Sequence, residues 1–413
     1  MKVFKFGGAS VKDSNAIRNM ASIVKSNGNS NLLIVVSAMG KTTNALERII
    51  TLQREGNDFE KEVFILQDYH FKIMNELFQK DHLIFKAIED QFSKIKAETS
   101  KNDSYDQVYD QVVSLGEVIS TLIISQYLNN EAVPVQWIDA RKMIRTDNNF
   151  REGKVDWNQS KINIQKLTST LKDRVLVTQG FIGSTAEGFT TTLGREGSDY
   201  TAAIFASCLK AESVTIWKDV PGVMNADPKR LPAAVVFEEL PFKEAAEMTY
   251  YGASVIHPKT IKPLANNGIP LLVKNFDNPL LPGTVIKETK LDHIPPLIVF
   301  KDNQCLISCK VTDYSFIDEN QLSTIFEIVS EMNMKINLMQ NSAISFSFCM
   351  DYREDKITKL IDLLGNHFEV YYNTGLTLIT VKNYDHQTFQ EYRQKKGVIL
   401  EQSSRSTLQV LLK

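Results

Sequence analysis

The densest run of chemistry-bearing residues is Thr190-Thr191-Thr192-Leu193-Gly194-Arg195-Glu196-Gly197-Ser198-Asp199-Tyr200-Thr201-Ala202-Ala203. It follows a strand-like run, RVLVTQGF at 174–181, and leads into AAIFASCL at 202–209, which has helix composition. The stretch therefore reads as a strand-to-helix crossing. Two glycines let the backbone approach a ligand, hydroxyls and N–H groups gather at the helix start, and Arg195 and Asp199 stand four residues apart. Such a combination suits an anion. An ordinary loop in which Ser198 or Asp199 only caps the helix would use the same N–H groups, so the stretch alone leaves both readings open.

The elements around it follow one plan. Lys2 to Phe6 (KVFKF) alternates like a strand, runs into Gly7-Gly8-Ala9-Ser10, and gives way to a helix near Asp13 and Ser14. Neither GxxxxGK[ST] nor GxGxxG is present, but Lys5, two residues ahead of the glycine pair, lets an ammonium reach a phosphate held by loop N–H groups. Leu32 to Ala38 (LLIVVSA) is a buried-strand run ending in Met39-Gly40-Lys41-Thr42-Thr43-Asn44. Two or three antiparallel helices are expected from Ala45 to about Lys96. In the next helix Val108, Val112, Leu115, Ile119 and Leu122 form one buried stripe. Glu117 lies about 200° round from that stripe, where a solvated glutamate is the default. Strands at Ala132 to Ile138 and Ser213 to Trp217, with a helix over Val155 to Leu171 between them, extend the alternation. The ordered loop from Lys218 to Arg230, a helix over Phe242 to Val255, and strands at Pro270 to Phe276 and Thr284 to Ile286 complete it. His257, beside Pro258, reads as structural. This alternation predicts a doubly wound α/β domain with a mostly parallel sheet and ligands beyond the strand carboxyl ends.

Composition narrows the classes. At 413 residues, 43% hydrophobic and 23% charged, the chain suits two or three domains with a large core. With 47 basic against 49 acidic residues and a formal charge of -2, nothing points to a nucleic-acid or anionic-membrane partner. The start, MKVFKFGGAS, has no signal-like apolar region, and no uncharged apolar run approaches the ~18 residues of a membrane span. A soluble cytoplasmic protein is expected. Cys208, Cys305, Cys309 and Cys349 form no CxxC and read as reduced core residues, and the glycosylation-like triplets at 102 and 158 read as chance matches.

Charge and two prolines in KETKLDHIPP (287–296) mark a linker. Beyond it the order strand (297–311), helix (320–333), strands (334–340 and 343–350), helix (354–365), strand (368–373) is the ferredoxin-like βαββαβ plan. A second unit opens at 376 with strand, helix and two strands. Its closing helix is absent from the pattern. The expected domains are 1–290, 297–374 and 375–413.

In order along the chain, KFGGAS (5–10), SAMGKTTN (37–44), SLGE (114–117), TLGREGSDYTAA (192–203), WKDVPGVMNADPK (217–229), GASVIHPKTI (252–261) and VKNFDNPLLPGT (273–284) resemble the aspartate kinases, and the tail resembles their paired ACT domains. The resemblance implies the amino-acid-kinase fold. It also implies transfer of the ATP γ-phosphoryl group to the side-chain carboxylate of L-aspartate, the first step in making lysine, threonine and methionine. An ionised carboxylate needs no general base. The reaction instead needs two anions aligned and the charge on the transferring phosphoryl group neutralised.

By resemblance, Lys5 reaches the transferring phosphate, Gly7 and Gly8 cradle it, and Asp199 organises the active-site lysines. Arg195 grips the substrate α-carboxylate with Ser198 beside it, Glu117 pairs with the α-ammonium, and Thr43 supplies a substrate-holding hydroxyl. Lys218, Asp219, Met224, Lys229 and Ser254 fall in the nucleotide region. Mg²⁺ is expected through the nucleotide phosphates, with no protein metal site. Three positions depart from the family pattern: Glu196 replaces a glycine, Lys218 a threonine and Ser254 a lysine, so that Lys218 or Lys259 is expected to supply the missing charge. Met224 stands for a tyrosine. The rival readings are a related kinase acting on glutamate or acetylglutamate, and a catalytically silent amino-acid sensor.

The tail carries a separate expectation. By resemblance an ACT unit binds an amino acid at its first strand-to-helix turn. Thr312 to Leu322 contains no glycine there, and Asp318 and Glu319 stand at the helix entrance. The tail is therefore expected to serve homodimerisation more than inhibition by lysine or threonine.

Overall fold

The runs rich in Val, Ile and Leu become strands buried on both faces, because helices cover a parallel sheet from either side. The structure, a computed structural model, describes residues 1–28, 30–253, 256–313 and 315–413. It divides into two compact units.

The first unit holds Met1–Val223, Val236–Ala246 and the described part of Ser254–Lys290. Its strands are β1 (Lys2–Phe6), β2 (Leu32–Val36), β3 (Val135–Ile138), β4 (Val175–Gln179), β5 (Ile182–Ser184), β6 (Thr190–Thr192), β7 (Ser213–Lys218), β8 (Glu239–Pro241), β9 (Leu271–Asn275) and β10 (Thr284–Lys287). Eight of them form one sheet in the order β3-β4-β2-β1-β7-β9-β10-β8, parallel except between β9 and β10. β5 and β6 pair antiparallel apart from it. All five residues of β2 are buried, as are all five of β4. Lys5 of β1 sits opposite Val35 of β2 and Ile216 of β7, so its neighbours along the sheet are apolar.

Three helices occupy the expected stretch, Thr42–Arg54, Glu60–Leu77 and Ile84–Thr99. The next, Tyr105–Asn130, is long and apolar enough by composition to cross a membrane, yet 89% of its apolar window is buried inside the unit. The Val155 to Leu171 helix is shorter than expected: Trp157–Gln165 is helical, followed by a single 3₁₀ turn at Thr170–Lys172. His257 accepts from the Lys259 N–H at 3.2 Å and caps the helix Pro258–Asn266, the structural role its proline neighbour suggests.

The second unit contains Leu291–Lys413 together with Met224–Val235 and Glu247–Ala253. These two short segments group with the tail although the sequence reads as one domain to 290. Ile298 N–H donates to the Asn225 carbonyl (2.7 Å), and Arg230 pairs with Asp302 (2.6 Å) while its guanidinium lies 4.4 Å from the Phe300 ring centre. The strands here are β11 (Leu297–Lys310), β12 (Ile336–Asn341), β13 (Ser345–Asp351), β14 (Glu369–Lys382), β15 (Val398–Ser403) and β16 (Thr407–Leu412), in one sheet ordered β12-β13-β11-β14-β16-β15.

β14 joins what the sequence suggests are two strands. Gly375 takes a left-handed backbone (φ +69°) open to glycine, and a register shift opposite it between Gln304 and Leu306 absorbs the irregularity. The first half of β11 pairs with the second half of β14, and the second half of β11 with the first half of β14. All four cysteines are free and buried, and burial pushes their thiols up to about 11 or 12.

Candidate active site

The carboxyl ends of the parallel strands gather the site. At the end of β1, Gly8 lies so close to the next crossing that a Cβ there would stand 2.7 Å from the Ala38 carbonyl oxygen and 2.8 Å from that of Gly40. Only glycine fits. The Gly40 N–H in turn donates to the Gly8 carbonyl at 3.0 Å, which ties the two loops together. The second loop is held from behind. Tyr69 donates to the Lys12 carbonyl (2.5 Å), and the buried His70, pushed down to about 4 by burial, faces the Thr42 hydroxyl at 3.4 Å. Thr43 is half-buried at the start of the helix Thr42–Arg54.

At the centre stands a buried carboxylate with two ammonium groups. Lys5 Nζ is 2.6 Å from Asp199 Oδ1, and Lys218 Nζ is 3.7 Å from Asp199 Oδ2. Asp199 is 2% exposed and Lys5 is 9% exposed. Burial raises the Asp199 carboxyl, but the charges of Lys5 and Lys218 outweigh it and hold the group below the usual carboxylate range. One negative charge thus orders two positive ones. Lys218, last residue of β7, reaches this carboxylate; Lys259 instead has its Nζ 3.4 Å from where a Gly194 Cβ would be.

Glu117 is not on a solvated face. It is 2% exposed, because the helix Tyr105–Asn130 is buried around most of its circumference between the sheet and other helices. Burial pushes its carboxyl up to about 8, against the lowering effects of a hydrogen bond from the Ala38 N–H and of the Lys5 charge. A cationic partner would restore its charged form.

The turn after β6 completes the arrangement. Gly194 has φ +75°, and Glu196 sits in the left-handed region at φ +53°, the backbone that explains why a glycine suits position 196. Ser198 is buried against the backbone of Gly180. Arg195 is exposed; Glu152, Arg195, Glu196 and Lys259 all act on His257, whose pKa is lowered by burial first. Lys5, Asp199, Lys218 and Glu117 are therefore brought together, with Gly7 beside the Lys5 ammonium. Asp219 is exposed on the loop after β7, while Met224 and Lys229 belong to the second unit. Ser254 lies outside the described residues. Among the described residues no cluster of three His, Cys, Asp or Glu side chains is placed to hold a metal.

The sequence signature of the amino acid kinase family matches residues 1–275. The lysine-sensitive aspartokinase 3 of Escherichia coli (strain K12) is 35% identical over 355 residues, covering 84% of this chain and 78% of that protein. The chain belongs to the aspartokinases. A bifunctional aspartokinase/homoserine dehydrogenase 2 of Arabidopsis thaliana is 29% identical over 90% of this chain, which spans only 42% of that longer relative. Among solved structures, E. coli aspartokinase III in complex with aspartate and ADP (R-state) superposes with a TM-score of 0.85 at 30% identity, covering 100% of this chain and 96% of that one. The same enzyme in complex with lysine and aspartate (T-state) gives 0.84 at 29%. Membership of the family accounts for both the parallel sheet and the ACT-like tail.

Two residues of this site escape motif reading. Asp110 and Gln111 lie on the helix Tyr105–Asn130 and hydrogen-bond to β6. An aspartate and a glutamine next to an apolar stripe look like surface residues. No local signal marks them.

Proposed function

We propose that this aspartokinase transfers the γ-phosphoryl group of ATP to the side-chain carboxylate of L-aspartate, giving 4-phospho-L-aspartate and ADP. The observation that carries the reading is the buried Lys5–Asp199–Lys218 cluster at the strand ends, at 2.6 and 3.7 Å. The attacking carboxylate is already ionised, so the protein's task is to hold two anions together and to stabilise charge on the moving phosphoryl group. Lys5 meets that group, with the backbone at Gly7 and Gly8 beside it, while Asp199 keeps the Lys5 and Lys218 ammonium groups in place. Arg195 and Ser198 take the α-carboxylate, Glu117 the α-ammonium, and Thr43 adds a hydroxyl. Glu117 would lose its proton on meeting that ammonium, since opposite charge offsets the burial that raises it. Mg²⁺ is assigned to the nucleotide phosphates, where it would help to neutralise the charge on the transferring group. The assignment of Asp219, Met224, Lys229 and Ser254 to the nucleotide rests on motif order alone.

The tail is assigned to homodimerisation. Its edge strand β12 and the turn after it expose Met339 (50%) and Ile344 (42%), and Phe316 is 74% exposed, a set of apolar groups that a second copy would cover. Met339→Lys with Ile344→Lys is expected to convert a dimer to a monomer in sedimentation; an unchanged mass would remove the assignment. A cytoplasmic location goes with the same reading.

ADP release measured in parallel with aspartate, glutamate and acetylglutamate tests the reaction. Turnover with aspartate alone is expected. Preference for either other acceptor, or no turnover with any, would replace this reading with one of its rivals.

A further inference from the structure

Asp110 is a buried carboxylate outside the lysine cluster, and the phosphoryl-transfer reading gives it no task. It is 0% exposed and accepts three hydrogen bonds: from the Arg151 N–H (2.9 Å), the Thr192 N–H (2.9 Å) and the Thr192 hydroxyl (2.7 Å). Its neighbour Gln111 donates to the Thr190 carbonyl (2.8 Å) and accepts from the Thr190 N–H (3.2 Å). β6 has β5 on one edge. On the other, these two side chains stand in for a neighbouring strand. The Gly153 N–H closes the figure by donating to the Thr192 carbonyl at 2.9 Å.

The segments joined in this way flank one turn. Thr192 ends β6 two residues before Gly194, and Gly194 lies against the Arg151 carbonyl and the Glu152 side chain. Arg151 is itself over-determined. Its backbone is left-handed (φ +66°), its guanidinium lies 4.2 Å from the Tyr109 ring centre, and it pairs with Glu47 at 3.4 Å. Burying a carboxylate is costly unless it is well bonded, and burial does push Asp110 up to about 6 despite its donors. A neutral amide could bridge two segments at lower cost. The two backbone N–H donors share Oδ2 and cannot reverse, and the Thr192 hydroxyl takes Oδ1, so the carboxylate accepts all three at once.

We propose that Asp110 is a positioning residue for the Gly194–Arg195 turn: by tying the end of β6 to the Arg151–Gly153 segment, it fixes where the Arg195 guanidinium meets the acceptor's α-carboxylate. This rests on the assignment of Arg195 to that carboxylate. Asp110 touches no reacting atom, so it governs how tightly the acceptor binds more than how fast the bound acceptor reacts.

The test uses the full chain carrying Asp110→Asn and, separately, Thr192→Val, which removes only the hydroxyl donor. Steady-state kinetics with aspartate and ATP varied in turn is combined with amide hydrogen exchange over residues 191–197 without substrates. Asp110→Asn is expected to raise the aspartate KM about tenfold, with kcat and the ATP KM within about twofold, and to speed exchange in 191–197 by about tenfold. Thr192→Val should shift the same two quantities by a smaller factor. Unchanged exchange, or a parallel loss in kcat and both KM values, would overturn the proposal. If Asp110→Asn does not fold, an unaltered aspartate KM and exchange rate in Thr192→Val would overturn it equally. A wild-type chain that releases no ADP with aspartate would sink the reaction reading, and the exchange rates would still decide whether Asp110 holds the turn.

Discussion

Two helix entrances, one in each unit, use an aspartate in opposite ways. At the helix Gly197–Leu209, the N-cap residue Glu196 makes no side-chain capping bond, and Asp199 in the first turn is engaged by Lys5 and Lys218. At the tail helix Glu319–Glu331, Asp318 accepts from the Asn320 and Gln321 N–H groups while Gln321 bonds back to the Asp318 N–H, a complete capping box. The first arrangement leaves the helix start uncapped by any side chain and sets ammonium groups beside it. The second satisfies its own donors and presents a negative charge. One entrance suits an incoming anion and the other repels it, although both follow a strand and both carry Asp.

The comparison breaks most sharply at Lys5. Lys5→Ala should lower kcat at least ~100-fold with little change in the thermal transition, because charge stabilisation expressed in the transition state is lost. An effect confined to the aspartate KM would move Lys5 out of the reacting centre. Arg195→Lys should act mainly on binding, raising the aspartate KM about tenfold, since an ammonium cannot make the two-pronged carboxylate bond. An unchanged KM would place the α-carboxylate elsewhere.

Glu117 offers a pH test. Its carboxyl holds a proton up to about pH 8 when folded but releases it near 4.5 when unfolded, so folding gains fully below 4.5 and loses that gain as pH rises toward 8. Glu117→Gln should therefore melt higher than wild type at pH 8 and show little such difference at pH 4.5, by roughly 2–4 °C for each kcal/mol recovered. Equal offsets at both pH values would mean that the burial cost does not reside in this carboxyl.

The smallest effect belongs to the tail. Asp318→Ala should cost about 1 kcal/mol of stability and leave kcat unchanged. Millimolar lysine or threonine should inhibit the wild-type chain weakly, in contrast to the lysine sensitivity carried in the name of its E. coli relative. Strong inhibition by either amino acid would show that an effector site exists away from the capped turn.

The sequence makes Lys5, Gly7, Gly8 and Asp199 legible because each sits in a short motif at the end of a strand, where local order alone sets position. The parallel sheet is legible for a similar reason: runs such as LLIVV need no distant information to read as doubly buried. Glu117 is illegible from its stripe, since stripe reading assumes one wet side and the helix Tyr105–Asn130 has almost none. Asp110 is hidden by distance: its partners Arg151 and Thr192 stand 41 and 82 positions away. The continuity of β14 is hidden as well, because a glycine between two apolar runs is the ordinary mark of a turn, and only pairing along β11 keeps the chain straight through it.

That pairing gives the tail a folding order. β11 and β14 are each 14 residues long and together form the spine from which both edges of the six-stranded sheet grow. The spine cannot close until the chain between its two strands, from Val311 to Phe368, has been made, so its formation carries a loop-entropy cost that more local strand pairs do not. Once closed, it places the hydrophobic clusters centred on Phe348 and on Val410 on the same pair of strands. Neither cluster then has a boundary at which to melt alone, and the tail should unfold in one cooperative step despite its two ferredoxin-like halves.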